Sequence, residues 1–323
     1  MFQVGLTFLY SPPSQPTPAL KPAHAYLALA FAALLWSGNM LVGRALHEAV
    51  APAVLSFWRW LLILLLLFPL VAEELRRRAA DLLRAWRLLL LLGLLSTAVF
   101  NAMVFESLRH TSAANAALLN SSIPLWTVLA AWLLTREKTS LVQLLGIGVS
   151  FIGVAAILGR GDPANLAALR INRGDALMLL AMVMWGIYAV CLRRRPAGLS
   201  AFAYLWVTGA IGLILLLPWL AFALAAGAAL RPAGGAWAGI VYLAVFPSII
   251  ATVMYNGALD TLGPARASHC VHLVPVFATL LGAAVLGEPV RAYHLAGYAL
   301  ILAGLALPAL TRMGRPAPAQ SVR

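Results

Sequence analysis

Residues 107–158 read SLRHTSAANAALLNSSIPLWTVLAAWLLTREKTSLVQLLGIGVSFIGVAAIL, and residues 258–309 read ALDTLGPARASHCVHLVPVFATLLGAAVLGEPVRAYHLAGYALILAGLALPA. At an offset of 151 residues the two stretches align without a gap. Pro124 meets Pro275, Glu137 meets Glu288, Gly146 meets Gly297 and Gly153 meets Gly304. Leu108, Ala114, Ala116, Leu129, Leu144 and Ala155 also meet identical residues, although Leu and Ala matches are common in a chain this apolar. A proline, a glutamate and two glycines in one register are not. Further upstream, Leu35-Trp36 answers Met184-Trp185. The chain reads as two copies of one unit, about 25–158 and 175–309.

What the unit is follows from composition. The chain is 63% hydrophobic and 10% charged, where a soluble domain is about half apolar and about a quarter charged. That excludes a water-soluble globule, a disordered chain and a collagen-like chain. Cys191 and Cys270 each lie in an apolar run, so no disulfide framework follows. Apolar runs fall near 25–43, 52–71, 88–108, 112–134, 140–158, 175–192, 201–222, 238–258, 265–286 and 290–309. A span needs roughly 20 apolar residues, tilt allowing somewhat fewer, and in lipid its backbone must satisfy itself as a helix. The pattern predicts an all-α integral membrane protein of ten transmembrane helices, arranged as two inverted five-helix repeats. Five is odd, so the second repeat enters the membrane from the opposite side. Residues 1–24 and 310–323 are expected to be tails, and the first apolar run is read as a retained helix, not a signal peptide.

The net charge of +13 could suggest nucleic acid, but its distribution suggests a membrane. With the N-terminus inside, fifteen Lys and Arg residues fall on inner segments and seven on outer ones, leaving Arg59 within a span. The bias places both termini in the cytoplasm. The basic stretch Glu73–Arg87 reads as an amphipathic loop on anionic headgroups. Only Trp86 interleaves its charges, so no nucleic-acid partner is expected.

Enzyme motifs are absent: there is no HExxH, no GxSxG, no continued GxGxxG and no GxxxxGK[ST] for a nucleotide. The chemistry must come from polar residues inside spans, which face a partner or a wet cavity. The bland alternative for each is a bond between helices. Arg59, about eight residues into the second span, has a fork that suits a substrate carboxylate; an ion pair or snorkelling would also hold it. His269 and His272 share one helix face, while their repeat mates are Leu118 and Ser121. They are the candidates for proton coupling. A metal site with Cys270 lacks further ligands nearby, so neither metal nor cofactor is expected. Asn101 and Thr252 are repeat mates expected to face one central cavity, which Asn115 and Asn120 would also line. Asn39, Tyr188, Tyr204, Tyr255 and Asn256 are further substrate-binding candidates, and Trp36 and Trp185, mates again, could wall the cavity. Pro124, Pro275 and Pro247 are expected to interrupt the fourth, ninth and eighth helices. Glu137 and Glu288 are expected to anchor turns at the next helix start.

These residues carry a family likeness. Leu35-Trp36-Ser37-Gly38-Asn39, Phe57-Trp58-Arg59, Ser107-Leu108 with Ser112-Ala113-Ala114, Pro124 and Glu137 mark the first half. Trp185-Gly186-Ile187-Tyr188, Leu259, Gly263-Pro264-Ala265-Arg266-Ala267, Pro275 and Leu286-Gly287-Glu288 mark the second. The sequence resembles the EamA family of the drug/metabolite transporter superfamily over nearly its whole length. The resemblance implies a ten-helix inner-membrane carrier, commonly an exporter of amino acids or other small metabolites. It also implies a glycine before each glutamate, and Arg136 departs from that where Gly287 does not. The expected function is secondary export of a small metabolite by alternating access, driven by proton exchange, with a small molecule and the bilayer as partners. The alternatives are a carrier of a drug, nucleobase or sugar-type solute, or a non-transporting scaffold or channel.

Overall fold

The computed structural model describes residues 22–120, 122–136, 140–158, 161–162, 164, 172–192, 194–196, 198–262, 273–287 and 290–313. Among these no strand occurs. Helix α1 is Pro22–Ala45 and α2 is Pro52–Arg77, with Pro52 at its start, where the missing N–H costs nothing. A short α3, Ala79–Arg84, leads to α4, Trp86–Ser107. Then come α5, Ala113–Asn120, α6, Ile123–Thr135, and α7, Leu141–Leu158. The second half holds α8, Arg173–Leu192, and α9, Ala201–Ala225. Helix α10 runs through Gly234–Ala244, Val245–Ile250 and Ala251–Leu262. Helices α11, Leu273–Leu286, and α12, Ala292–Met313, complete the described residues. Six of these helices are long and apolar enough to cross a membrane, and Leu125–Thr135, Leu144–Gly153, Val276–Val285 and Ala292–Gly304 are shorter apolar stretches.

The helices show why this is a membrane protein. On α2, Ser56, Arg59, Trp60, Ile63, Leu67 and Val71 are buried at helical spacing. The other face exposes Leu65, Leu66, Phe68 and Leu70. A continuous exposed apolar face would be an aggregation liability in water, and lipid is its solvent. Where the sequence predicts a fourth span interrupted at Pro124, two helices, α5 and α6, occur. Pro124 is the second residue of α6, where its lack of an N–H suits a helix start better than a helix interior. The Ser122 hydroxyl donates to the Leu119 carbonyl at 2.6 Å and accepts from Trp126 Nε1 at 3.0 Å, securing the restart. Pro275 likewise lies near the start of α11. The prolines inside long helices are Pro69 in α2 and Pro218 in α9, which match at an offset of 149, the offset of Trp36 and Trp185.

Packing links the two sequence repeats rather than separating them. Helix α1 lies on the end of α10 and on α11, while α8 lies on the end of α4 and on α6. The first helix of each repeat thus covers the third and fourth of the other. Helix α2 packs on α9, and α7 on α12. The α7–α12 contact runs through the matched glycines. A Cβ on Gly153 would stand 2.6 Å from the Gly297 carbonyl oxygen, and one on Gly304 would collide with the Gly146 carbonyl. Close backbone approach at small residues is how helices associate without a hydrophobic driving force. Between these pairs Ser150 Oγ donates to the carbonyl of Ile301, its own mate at 151, at 3.2 Å. A residue touching its own mate marks the place where the two halves face each other equivalently.

Both third helices carry a π-helical turn, Leu94–Val99 in α4 and Val245–Ile250 in α10. These coincide at the offset of 151. Each inserts one residue into the helical ladder, a feature common at functional sites.

Candidate functional site

Arg59 lies between the two π turns. It is 7% exposed. Its Nε and Nη2 donate to Ser248 Oγ at 3.1 and 2.8 Å, and its Nη1 donates to Asn101 Oδ1 at 3.2 Å. The guanidinium carbon sits 5.5 Å from the centre of the Phe105 ring. Ser248 belongs to the second π turn and Asn101 follows the first by two residues. One guanidinium from α2 therefore joins the third helices of both halves. Its acceptors are neutral, and no carboxylate among the described residues pairs with it. The structural ion pair considered from sequence is absent there.

Local backbone chemistry prepares both partners. Pro247 has no N–H to give the Leu243 carbonyl, the ordinary helical acceptor four residues back. Ser248 Oγ donates to that carbonyl instead, at 2.7 Å. At the matching place in α4, Ser96 Oγ donates to the Leu92 carbonyl at 2.7 Å. Asn101 Nδ2 donates to the Ser96 carbonyl at 2.8 Å, which turns its Oδ1 toward Arg59.

The remaining candidates fall into smaller groups. Trp36 Nε1 donates to the Pro247 carbonyl at 3.0 Å, and its ring lies 5.3 Å from that of Tyr255. Its mate Trp185 lies 4.6 Å from Phe100 and 4.9 Å from Tyr188. The Tyr204 hydroxyl donates to that of Tyr188 at 3.1 Å. Each tryptophan thus stands beside the π turn of the other half's third helix. Asn39 is half-buried, and its enclosed Oδ1 has no partner among the described residues. Asn120 is buried at the end of α5, and Thr252 is half-buried in α10. Asn256 lies on α10 with its side chain outside the described residues, and His269 and His272 lie outside them altogether. Among the described residues no group of His, Cys, Asp and Glu is placed to hold a metal.

The sequence reading missed two members. Ser248 was not named, although it is the mate of Thr97, another hydroxyl in a span. Ser56 lies one turn before Arg59 on the same face of α2 and is fully buried. Its Oγ, with Trp60 Nε1 and Asn39 Oδ1, makes up the buried polar atoms left without partners among the described residues. The end of α2 and the start of α3 form, with Gly198 before α9, a separate cleft of about 580 Å³ lined by Glu74, Arg77, Arg78, Asp81 and Gly198. There the Glu74 carboxylate accepts from the Ser200 N–H and hydroxyl at 2.7 and 2.5 Å, tying the end of α2 to the start of α9.

The profile of the EamA-like transporter family matches residues 23–159 and matches again over 172–309. The chain belongs to the EamA-like transporter family. Among its relatives is YyaM of Bacillus subtilis (strain 168), an uncharacterised transporter, 28% identical over 79% of this chain and 83% of that protein. A probable terminal-alkyne amino-acid exporter of Streptantibioticus cattleyicolor is 32% identical over 64% of this chain and 67% of that protein. The inner-membrane transporter YedA of Escherichia coli (strain K12), also uncharacterised, is 30% identical over 79% of this chain and 80% of that protein. A crystal structure superposes with a TM-score of 0.62 at 21% identity, covering 91% of this chain and 99% of that one, which supports the fold. This EamA-like chain is an integral membrane protein of the drug/metabolite transporter type.

Proposed function

We propose that this EamA-like protein is a secondary carrier that exports a small metabolite, such as an amino acid, across the cytoplasmic membrane. It works by alternating access between two inverted five-helix halves, 25–158 and 175–309, with both termini in the cytoplasm. The observation that carries this reading is the reciprocal packing. Each first helix lies on the third and fourth helices of the other half, and the matched glycines of α7 and α12 meet in exchanged pairs. Two structurally equivalent halves around a midplane site are how such carriers expose one site to either side in turn.

The substrate site draws on Trp36, Asn39, Arg59, Asn101, Asn120, Trp185, Tyr188, Tyr204, Thr252, Tyr255 and Asn256. His269 and His272 exchange the driving proton. The amino-acid class is supported by the exporter relative and by the buried guanidinium, which pairs with no carboxylate among the described residues. The test is counterflow in proteoliposomes with labelled L-amino acids, with and without an imposed pH gradient. Uptake of at least one amino acid, faster with the gradient and reduced by His272→Ala, is the expected result. Movement of other solutes alone changes the substrate class. No movement on a broad panel favours a scaffold.

A further inference from the structure

Two features of the Arg59 region are unexplained by packing. The guanidinium has five N–H donors, and the described residues accept from it three times, with neutral oxygens only. A charge buried without a counter-charge in an apolar bundle is costly, and such residues mark substrate pathways. One turn away on the same face, the fully buried Ser56 hydroxyl has no partner among the described residues. A buried hydroxyl in a helix commonly bonds back to the carbonyl four residues earlier, and Ser56 does not. A hydroxyl with no partner and a guanidinium with two N–H groups to spare share one helical face, and among the described residues no anion meets them.

We propose that Ser56 and Arg59 receive the carboxylate of the transported solute. The carboxylate draws the guanidinium from Asn101 and Ser248, so that loading the site loosens both π turns together. The inference rests on the carrier reading above. A carboxylate takes two parallel N–H bonds from a guanidinium and has lone pairs left for a hydroxyl. These charge-assisted bonds are stronger than those to the amide of Asn101 and the hydroxyl of Ser248. When they form, the link from Ser96 through Asn101, Arg59 and Ser248 to Leu243 opens at its centre. That link runs from the first π turn to the carbonyl freed by Pro247 in the other half. A solute bound at one point would thereby release both third helices at equivalent places.

The experiment has two arms on full-length protein. In nanodiscs, hydrogen exchange is followed over 94–99 and 245–250 without solute. Arg59→Met is expected to speed exchange at least fivefold in both segments, and Ser56→Ala in neither. Should Arg59→Met not fold, Asn101→Ala must speed exchange at 245–250, and Ser248→Ala at 94–99, each across the bundle from the change. Failure of these distant effects overturns the link. In proteoliposomes, counterflow is compared for the twenty L-amino acids and their C-terminal amides. The wild type is expected to move acids at least tenfold faster than amides, and Ser56→Ala to lose at least fivefold of acid transport. Equal movement of acids and amides, or full transport by Ser56→Ala, overturns the carboxylate site and leaves the carrier standing. A wild type that moves no solute overturns the carrier and this inference with it.

Discussion

The two π turns occupy matched places and agree at no matched residue. LLSTAV at 94–99 and VFPSII at 245–250 differ at every matched position, yet both open the helix at the same place. Each half caps the carbonyl that its turn frees with a hydroxyl, Ser96 on Leu92 and Ser248 on Leu243. The donor moves one residue along because Pro247 occupies the serine's place in the second half. The carbonyls of Ser96 and Pro247 are capped differently again, by Asn101 from the same helix and by Trp36 from the other half. The comparison teaches that the fold preserves the opening while the side chains closing it have diverged. Divergence is also where the halves become unequal: Arg59 matches Thr208 at the offset of 149, so the charge belongs to one half.

The α6 and α11 ends give a second comparison. Arg136 adopts a left-handed backbone with φ 56°, and its mate Gly287 has φ 67°. The left-handed conformation is kept although the glycine is not.

These comparisons can be broken at four places, ordered by expected effect. Gly153→Val and Gly304→Val should each cost about 3 kcal/mol or prevent folding, since both drive a side chain into a facing backbone. Equal losses in denaturation from detergent micelles would sharpen the equivalence of the halves, and unequal losses would break it. Ser248→Ala should cost about 2 kcal/mol, because it strips the guanidinium of its hydroxyl and leaves the Leu243 carbonyl bare. Ser96→Ala should cost less than half as much by the same titration. Gly287→Ala should cost about 1 kcal/mol, as the left-handed strain outweighs the entropy lost from the unfolded chain. A methyl there meets nothing within 4 Å, so sterics with neighbours do not enter. Arg136→Gly should raise the melting temperature slightly, by the reverse argument. Ser150→Ala, which removes one bond near the meeting point of the halves, should cost about 0.6 kcal/mol, a typical value for a bond between membrane helices.

Much of the fold was legible in the sequence. Apolar runs and the register of 151 residues gave the helices and their duplication, because lipid forces each span to satisfy its own backbone. Arg59 stood out because a buried charge is rare, and Asn101 because it sat mid-span. Other features were hidden. The π turns leave no periodic trace, since one inserted residue barely disturbs an apolar run. Asn101 was expected to face one cavity with Thr252, its mate; that Ser248 joins it at the guanidinium had no mark in the sequence. Ser56 has nothing in the sequence to set it apart from other small helix residues, and only its packing shows that its hydroxyl lacks a partner among the described residues.

The sequence by itself determined that the chain lives in a membrane, that it is one unit written twice, and that one charge is buried in the first copy. These follow from composition and spacing, which act locally. The tertiary structure alone decided which side chains that charge meets, because Arg59, Asn101 and Ser248 come from helices far apart in the chain. It also decided that each first helix crosses to the other half. In lipid, apolar burial does not distinguish one helix neighbour from another, so close backbone fit at small residues and bonds between polar groups make that choice.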